Sequence, residues 1–80
     1  MNTDERIKKV ISEQLNIDVD SFNEGSPIIE LGADSLDTVE IIMALEEEFN
    51  LNLQDEKIKI VNVGDIIRYI KNALAKVTAD

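Results

Sequence analysis

The chain has 80 residues, enough for one small domain, and its 8 Lys+Arg stand against 17 Asp+Glu for a net charge of −9. It contains no His and no Cys, which excludes disulfides, His–Cys metal sites and any nucleophile that needs a histidine base. The negative charge argues against nucleic acid or an anionic membrane as a partner and points to a basic surface on another protein.

In chain order, Thr3 can cap a first helix, with Asp4 and Glu5 in its first turn. Ile7, Val10, Ile11 and Leu15 recur at helical spacing, which predicts a helix near residues 4–15. Residues 16–34 contain Gly25, Pro27 and Gly32 and form a long connection. Phe22, Ile28, Ile29 and Leu31 are expected to pin it to the core. Asp34 or Ser35 opens a second helix that runs to about Phe49, since no Pro or Gly interrupts Leu36 through Phe49. Residues 53–61 alternate weakly like a strand, but a lone strand has nothing to pair with, so a short helical turn is expected there. Asn62 can cap a last helix with Asp65 in its first turn and an apolar stripe of Ile66, Ile67, Ile70 and Leu74. The expected fold is all-α: a small four-helix bundle, one domain over residues 1–80, with a long loop between helices 1 and 2 and a short third helix.

A hydrophobic fraction of 44% is too high for a disordered acidic tail. The only aromatics are Phe22, Phe49 and Tyr69, so the core must be aliphatic. No apolar run approaches the ~20 residues of a membrane span. The N-terminus has neither the basic start nor the apolar stretch of a signal peptide, so a cytoplasmic monomer is expected.

The charge is segregated. No Lys or Arg lies between Val10 and Glu56, and that stretch holds thirteen acids. On a wheel at about 100° per residue, Thr38, Ile41, Ile42, Leu45 and Phe49 share the side expected to face the core. Leu36 and Met43 fall opposite, among Glu40 and Glu47, with Val39 and Glu46 at the flanks. The helix has no cation of its own, and Glu46, Glu47 and Glu48 sit at its C-terminal end, where the helix dipole disfavours them. Apolar side chains ringed by acids, at some expense to local stability, suit docking to a basic partner.

Ser35 follows Gly32-Ala33-Asp34 at the start of that helix. A phosphate attached there would be favoured by free backbone N–H groups and the helix dipole, and opposed in part by Asp34 and Asp37. With no His to activate it, Ser35 is not a triad nucleophile. Taken alone, it fits an ordinary helix-start serine better than an attachment site.

The longer run Leu31-Gly32-Ala33-Asp34-Ser35-Leu36-Asp37-Thr38-Val39-Glu40, continued by Met43-Ala44-Leu45-Glu46-Glu47-Glu48-Phe49, closely resembles the phosphopantetheine attachment region of acyl carrier proteins. It resembles the carrier of dissociated, type II fatty acid synthesis most. The segment from Glu5 to Leu15 also looks like that family. The resemblance implies a carrier that is not a catalyst, with Ser35 joined to 4′-phosphopantetheine donated by coenzyme A. The imported thiol would hold acyl groups as thioesters, which suits a chain without Cys. The implied partners are a phosphopantetheinyl transferase and acyl-transfer and chain-elongation enzymes with basic patches. Matching positions would place Asp34, Leu36, Asp37, Glu40, Met43, Glu46 and Glu47 on the partner face. Val39, Leu45, Ile60 and Ile67 would line the acyl shelter.

Leu53-Gln54 stands where the family has Ile-Pro, and Lys57-Ile58-Lys59-Ile60 is more basic and more apolar than the family pattern. These departures leave open a specialised carrier of polyketide or other cargo. An acidic module without a prosthetic group is the reading from another class. An EF-hand is excluded: counted from Asp18, the sixth loop position is Asn23 and the twelfth Ile29, and counted from Asp20 the third is Phe22 and the twelfth Leu31.

Overall fold

The computed structural model of the chain describes residues 2–53 and 59–78. Within them, three α-helices carry the fold: α1 (Thr3–Leu15), α2 (Ser35–Phe49) and α3 (Val63–Thr78). Two 3₁₀ turns, Val19–Ser21 and Ile28–Leu31, punctuate the connection between α1 and α2. No strand occurs among the described residues; Pro27 and Asn62 form one isolated antiparallel bridge. The short helix expected within residues 53–61 falls largely on residues 54–58, outside the described part.

The starts of the three helices and the ends of α1 and α2 have local causes. The cap of α1 is Asn2 rather than Thr3: its side chain accepts from the Glu5 N–H, and the Glu5 carboxylate accepts from the Asn2 N–H. This reciprocal arrangement satisfies two donors that a helix start leaves free. Asn16 and Asn50 close α1 and α2 in the left-handed region, at φ 57° and 53°, a conformation that asparagine tolerates better than most residues. At α3, Asn62 accepts from the Asp65 N–H at 2.9 Å, as its sequence position suggested.

α1 packs against both α2 and α3. The core is aliphatic, with Ile7, Ile11, Ile41, Leu45, Val63, Ile66 and Ile70 fully buried and Phe22, Ile28 and Leu51 nearly so. Leu74 packs against this cluster but is only partly buried. The wheel of the second helix holds. Ile41 and Leu45 are buried, Thr38, Ile42 and Phe49 are half-buried, and Leu36, Val39 and Met43 face solvent.

The long connection is fastened to the start of α3 by backbone bonds. Ile28 N–H donates to the Val61 carbonyl at 2.8 Å, Val63 N–H to Ser26 at 3.0 Å and Gly64 N–H to Glu24 at 2.8 Å. A Cβ on Gly64 would sit 3.1 Å from the Glu24 carbonyl oxygen, so this close approach favours a glycine.

One expected core contact is corrected. Phe22 and Ile28 are buried and Leu31 half-buried, but Ile29 is 83% exposed. The cause is the 3₁₀ turn. At three residues per turn, positions 28 and 31 eclipse and face the core together, and position 29 is rotated away.

Candidate functional site

The site is built around the start of α2. Gly32 ends the 3₁₀ turn at φ 87°, in the left-handed region, and its N–H bonds back to Ile28 and Ile29. Ala33 is buried and anchors the next step of the chain. Asp34 then caps α2: its carboxylate accepts from the Asp37 N–H at 2.9 Å, and the Asp37 carboxylate accepts from the Asp34 N–H at 3.1 Å. The Thr38 hydroxyl donates to the Asp34 carbonyl at 3.1 Å. These bonds close the helix start around Ser35 without using its hydroxyl, and Ser35 is exposed. The side chain is thus presented to solvent on a rigid, capped end.

This arrangement refines the expected roles of Asp34 and Asp37. Both carboxylates already serve backbone N–H groups of the first turn, so the cap, not an attached phosphate, takes the Asp37 N–H.

Along α2, Leu36, Glu40, Met43 and Glu47 follow one another at spacings of four, three and four and form one exposed stripe. Leu36 is 63% exposed and Met43 57%. The glutamates at the end of the helix divide by role. Glu46 is half-buried, and its carboxylate accepts from the Leu53 N–H at 2.8 Å, holding the chain that leaves α2. Glu48 pairs with Arg6 of α1 at 3.0 Å. The same guanidinium donates to the Glu48 carbonyl at 3.1 Å and lies 4.3 Å from the Phe49 ring centroid. The cation missing from α2 is therefore supplied by α1, where it meets the negative end of the α2 dipole. The expected sacrifice of local stability is smaller than the sequence suggested. Glu40 and Glu47 remain exposed, with no ion pair among the described residues.

Of the residues expected to shelter an acyl chain, Leu45 and Ile67 are buried in the core, Ile60 is half-buried and Val39 is 53% exposed. An open groove of about 640 Å³ lies elsewhere, between α1 and the Val19–Ser21 turn, lined by Lys8, Lys9, Ser12, Val19 and Phe22 among others. None of the four lines it. Sequence reasoning missed Arg6, whose role depends on a partner 42 residues away. It also missed the structural use of Glu46.

The described residues form a small helical fold that presents an exposed serine on a capped helix end. The chain matches the family described as "Phosphopantetheine attachment site" over residues 5–70. It is 54% identical over 70 residues to an acyl carrier protein of Helicobacter pylori, covering 85% of this chain and 90% of that one. An acyl carrier protein of Wolinella succinogenes is 54% identical over 67 residues, covering 81% of this chain and 88% of the relative. The fold is similar to the crystal structure of an acyl carrier protein from Thermotoga maritima, with a TM-score of 0.78 and 32% identity over 91% of this chain and 87% of that one. The chain belongs to the acyl carrier protein family.

Proposed function

We infer that residues 1–80 form a single acyl carrier domain, that Ser35 is its attachment point for 4′-phosphopantetheine, and that it serves type II fatty acid synthesis as a carrier and not a catalyst. The observation that carries this reading is Ser35 itself. It is exposed, outside the hydrogen-bond network of a rigid cap, and lies within the matched phosphopantetheine region. The group fits: the Ser35 side chain is exposed, and the cap bonds leave its hydroxyl uncommitted. When bound, the prosthetic thiol holds acyl groups as thioesters.

The chain's own residues present that group. The Asp34–Asp37 cap fixes the direction in which α2 starts, and the buried Ala33 and the left-handed Gly32 fix the approach to it. The stripe Leu36, Glu40, Met43 and Glu47 offers apolar contact flanked by exposed negative charge. Such a face steers basic partners at long range and gives contact area at short range. Asp34, Asp37 and Glu46 add to the field while holding local structure. The partners on this reading are a phosphopantetheinyl transferase and acyl-transfer and elongation enzymes with basic patches, met by a cytoplasmic monomer. Among the described residues, no helix is long and apolar enough to cross a membrane. Leu45, Ile60 and Ile67 belong to the apolar interior that an acyl chain would enter, with Val39 at its solvent edge.

The test is to incubate unmodified protein with coenzyme A and a phosphopantetheinyl transferase, digest it and locate the added mass. The increment is expected on the peptide containing Ser35 and absent from Ser35→Ala. An increment on another residue, or on the Ser35→Ala variant, would overturn the assignment.

A further inference from the structure

The exposed large apolar side chains of the described residues are not spread evenly. Four of the seven, Ile29, Leu36, Val39 and Met43, lie within fifteen residues that bracket Ser35. Three of these belong to α2. Ile29 lies on the turn before it and, at 83%, is the most exposed of the seven. A single exposed isoleucine is ordinary on a protein surface, but this one is held in place. Its backbone is part of a turn in which Glu30 N–H bonds Pro27 at 3.1 Å and Gly32 N–H bonds Ile29 at 3.0 Å. The preceding Ile28 is buried and its N–H is fastened to Val61. A β-branched side chain on a fixed backbone has few rotamers to lose on being covered.

We propose that Ile29 is an apolar anchor for the enzyme that attaches phosphopantetheine to Ser35, carrying the docking face from α2 onto the Ile28–Leu31 turn. The proposal rests on Ser35 being the attachment point. An enzyme that forms a bond to the Ser35 oxygen must bring its own surface into contact around that atom. Enzymes that act on the thiol work at the far end of the arm and carry no such requirement. The chain from Ile29 to Ser35 spans at most about 17 Å, half of it at 3₁₀ rise and half extended. A standard interface of about 800 Å² per partner, centred on Ser35, reaches about 16 Å from its centre. Ile29 therefore lies no farther from Ser35 than about the radius of such a footprint. The partner's chemistry is complementary as well. It must hold coenzyme A, a polyphosphate, so the mouth of its active site is cationic. The carrier meets it with a sequence that has no Lys or Arg between Val10 and Glu56. The occupant of the Ile29 position is thus an apolar patch beside a basic one.

The experiment uses the full chain in its unmodified form, with coenzyme A and the phosphopantetheinyl transferase of its own host. Ile29→Gln should lower kcat/KM for the transfer about five- to tenfold, mostly through KM. Ile29→Val should recover most of the rate. Val77→Gln, which removes a side chain 62% exposed at the far end of α3, should behave as wild type. Because the contact is apolar, the Ile29→Gln defect should persist as salt rises. Thermal melts of Ile29→Gln and wild type should coincide, since the side chain leaves water only in the complex. A rate within twofold of wild type overturns the proposal. So does a defect that salt abolishes, and so does sedimentation showing a wild-type dimer that Ile29→Gln dissociates, which would make the occupant a second copy of this chain. Failure of the Ser35 reading looks different: there, wild type itself takes no modification or Ser35→Ala still takes one.

Discussion

Replacing Arg6 with alanine tests how the fold tolerates the acidic end of α2. Arg6 is the only cation seen to reach the C-terminal end of α2 among the described residues. It makes three contacts there: an ion pair with Glu48, a hydrogen bond to the Glu48 carbonyl and a stacked contact with Phe49. The cation over the ring contributes about 0.5–1 kcal/mol at an exposed site. The ion pair contributes about 0.2–0.5 kcal/mol, discounted because its two side chains are 38% and 39% exposed. The hydrogen bond contributes about 0.5–1 kcal/mol. Arg6→Ala should therefore lose about 1.2–2.5 kcal/mol, out of a total near 4–12 kcal/mol for a chain this size. The melting temperature should fall by about 5–20 °C. Glu48→Gln provides the contrast. It leaves the carbonyl and ring contacts intact and removes one of the excess negative charges, so it should cost less than about 0.5 kcal/mol. Urea unfolding at moderate salt, followed by circular dichroism, measures both. Equal losses in the two variants, or a loss under about 0.3 kcal/mol for Arg6→Ala, would refute the view that α1 compensates the end of α2.

The other predictions concern neighbouring acids with different roles. Glu46→Ala should destabilise the protein by about 1 kcal/mol through the lost Leu53 bond, whereas Glu47→Lys should leave unfolding nearly unchanged and slow partner reactions, with a defect that shrinks as salt rises. The converse pattern in unfolding curves and rates would reverse the assignment. The Asp65 carboxyl is held below its ordinary value of 3.8, chiefly by the Val61 N–H and then the Asn62 N–H, with Arg68 adding to them. A folded value below the unfolded one means that its contribution is complete above that ordinary value and is lost as pH falls through the folded one. Wild type should accordingly be more stable than Asp65→Asn at neutral pH, with the gap closing only below about pH 4 in acid unfolding; a gap that closes near neutrality would contradict this.

The parts legible in the sequence were those set by local periodicity. Ile7, Val10 and Ile11, and likewise Ile66, Ile67 and Ile70, repeat at helical spacing and are buried. The wheel of α2 separated Ile41 and Leu45 from Leu36 and Met43 for the same reason. The family was legible because the residues flanking Ser35 form a long, specific run. Ile29 was misplaced because a four-residue 3₁₀ turn has a period of three, which an apolar pair in a loop does not announce. The roles of Glu46 and Glu48 were hidden because their partners are backbone or a side chain on another helix. At the start of α1, Asn2 and Thr3 are adjacent cap formers, and the reciprocal bond with Glu5 selects Asn2.

The central claim is that Ser35 bears the group that makes this domain a carrier. Its most direct test is the intact mass of the protein purified from its own cells, read beside the Ser35→Ala variant produced in the same way. Wild type should be heavier than its sequence by one phosphopantetheine, with a further series of acyl increments that hydroxylamine removes, and Ser35→Ala should match its bare sequence. A wild-type protein found only at its unmodified mass, through growth and stationary phase alike, would contradict the account.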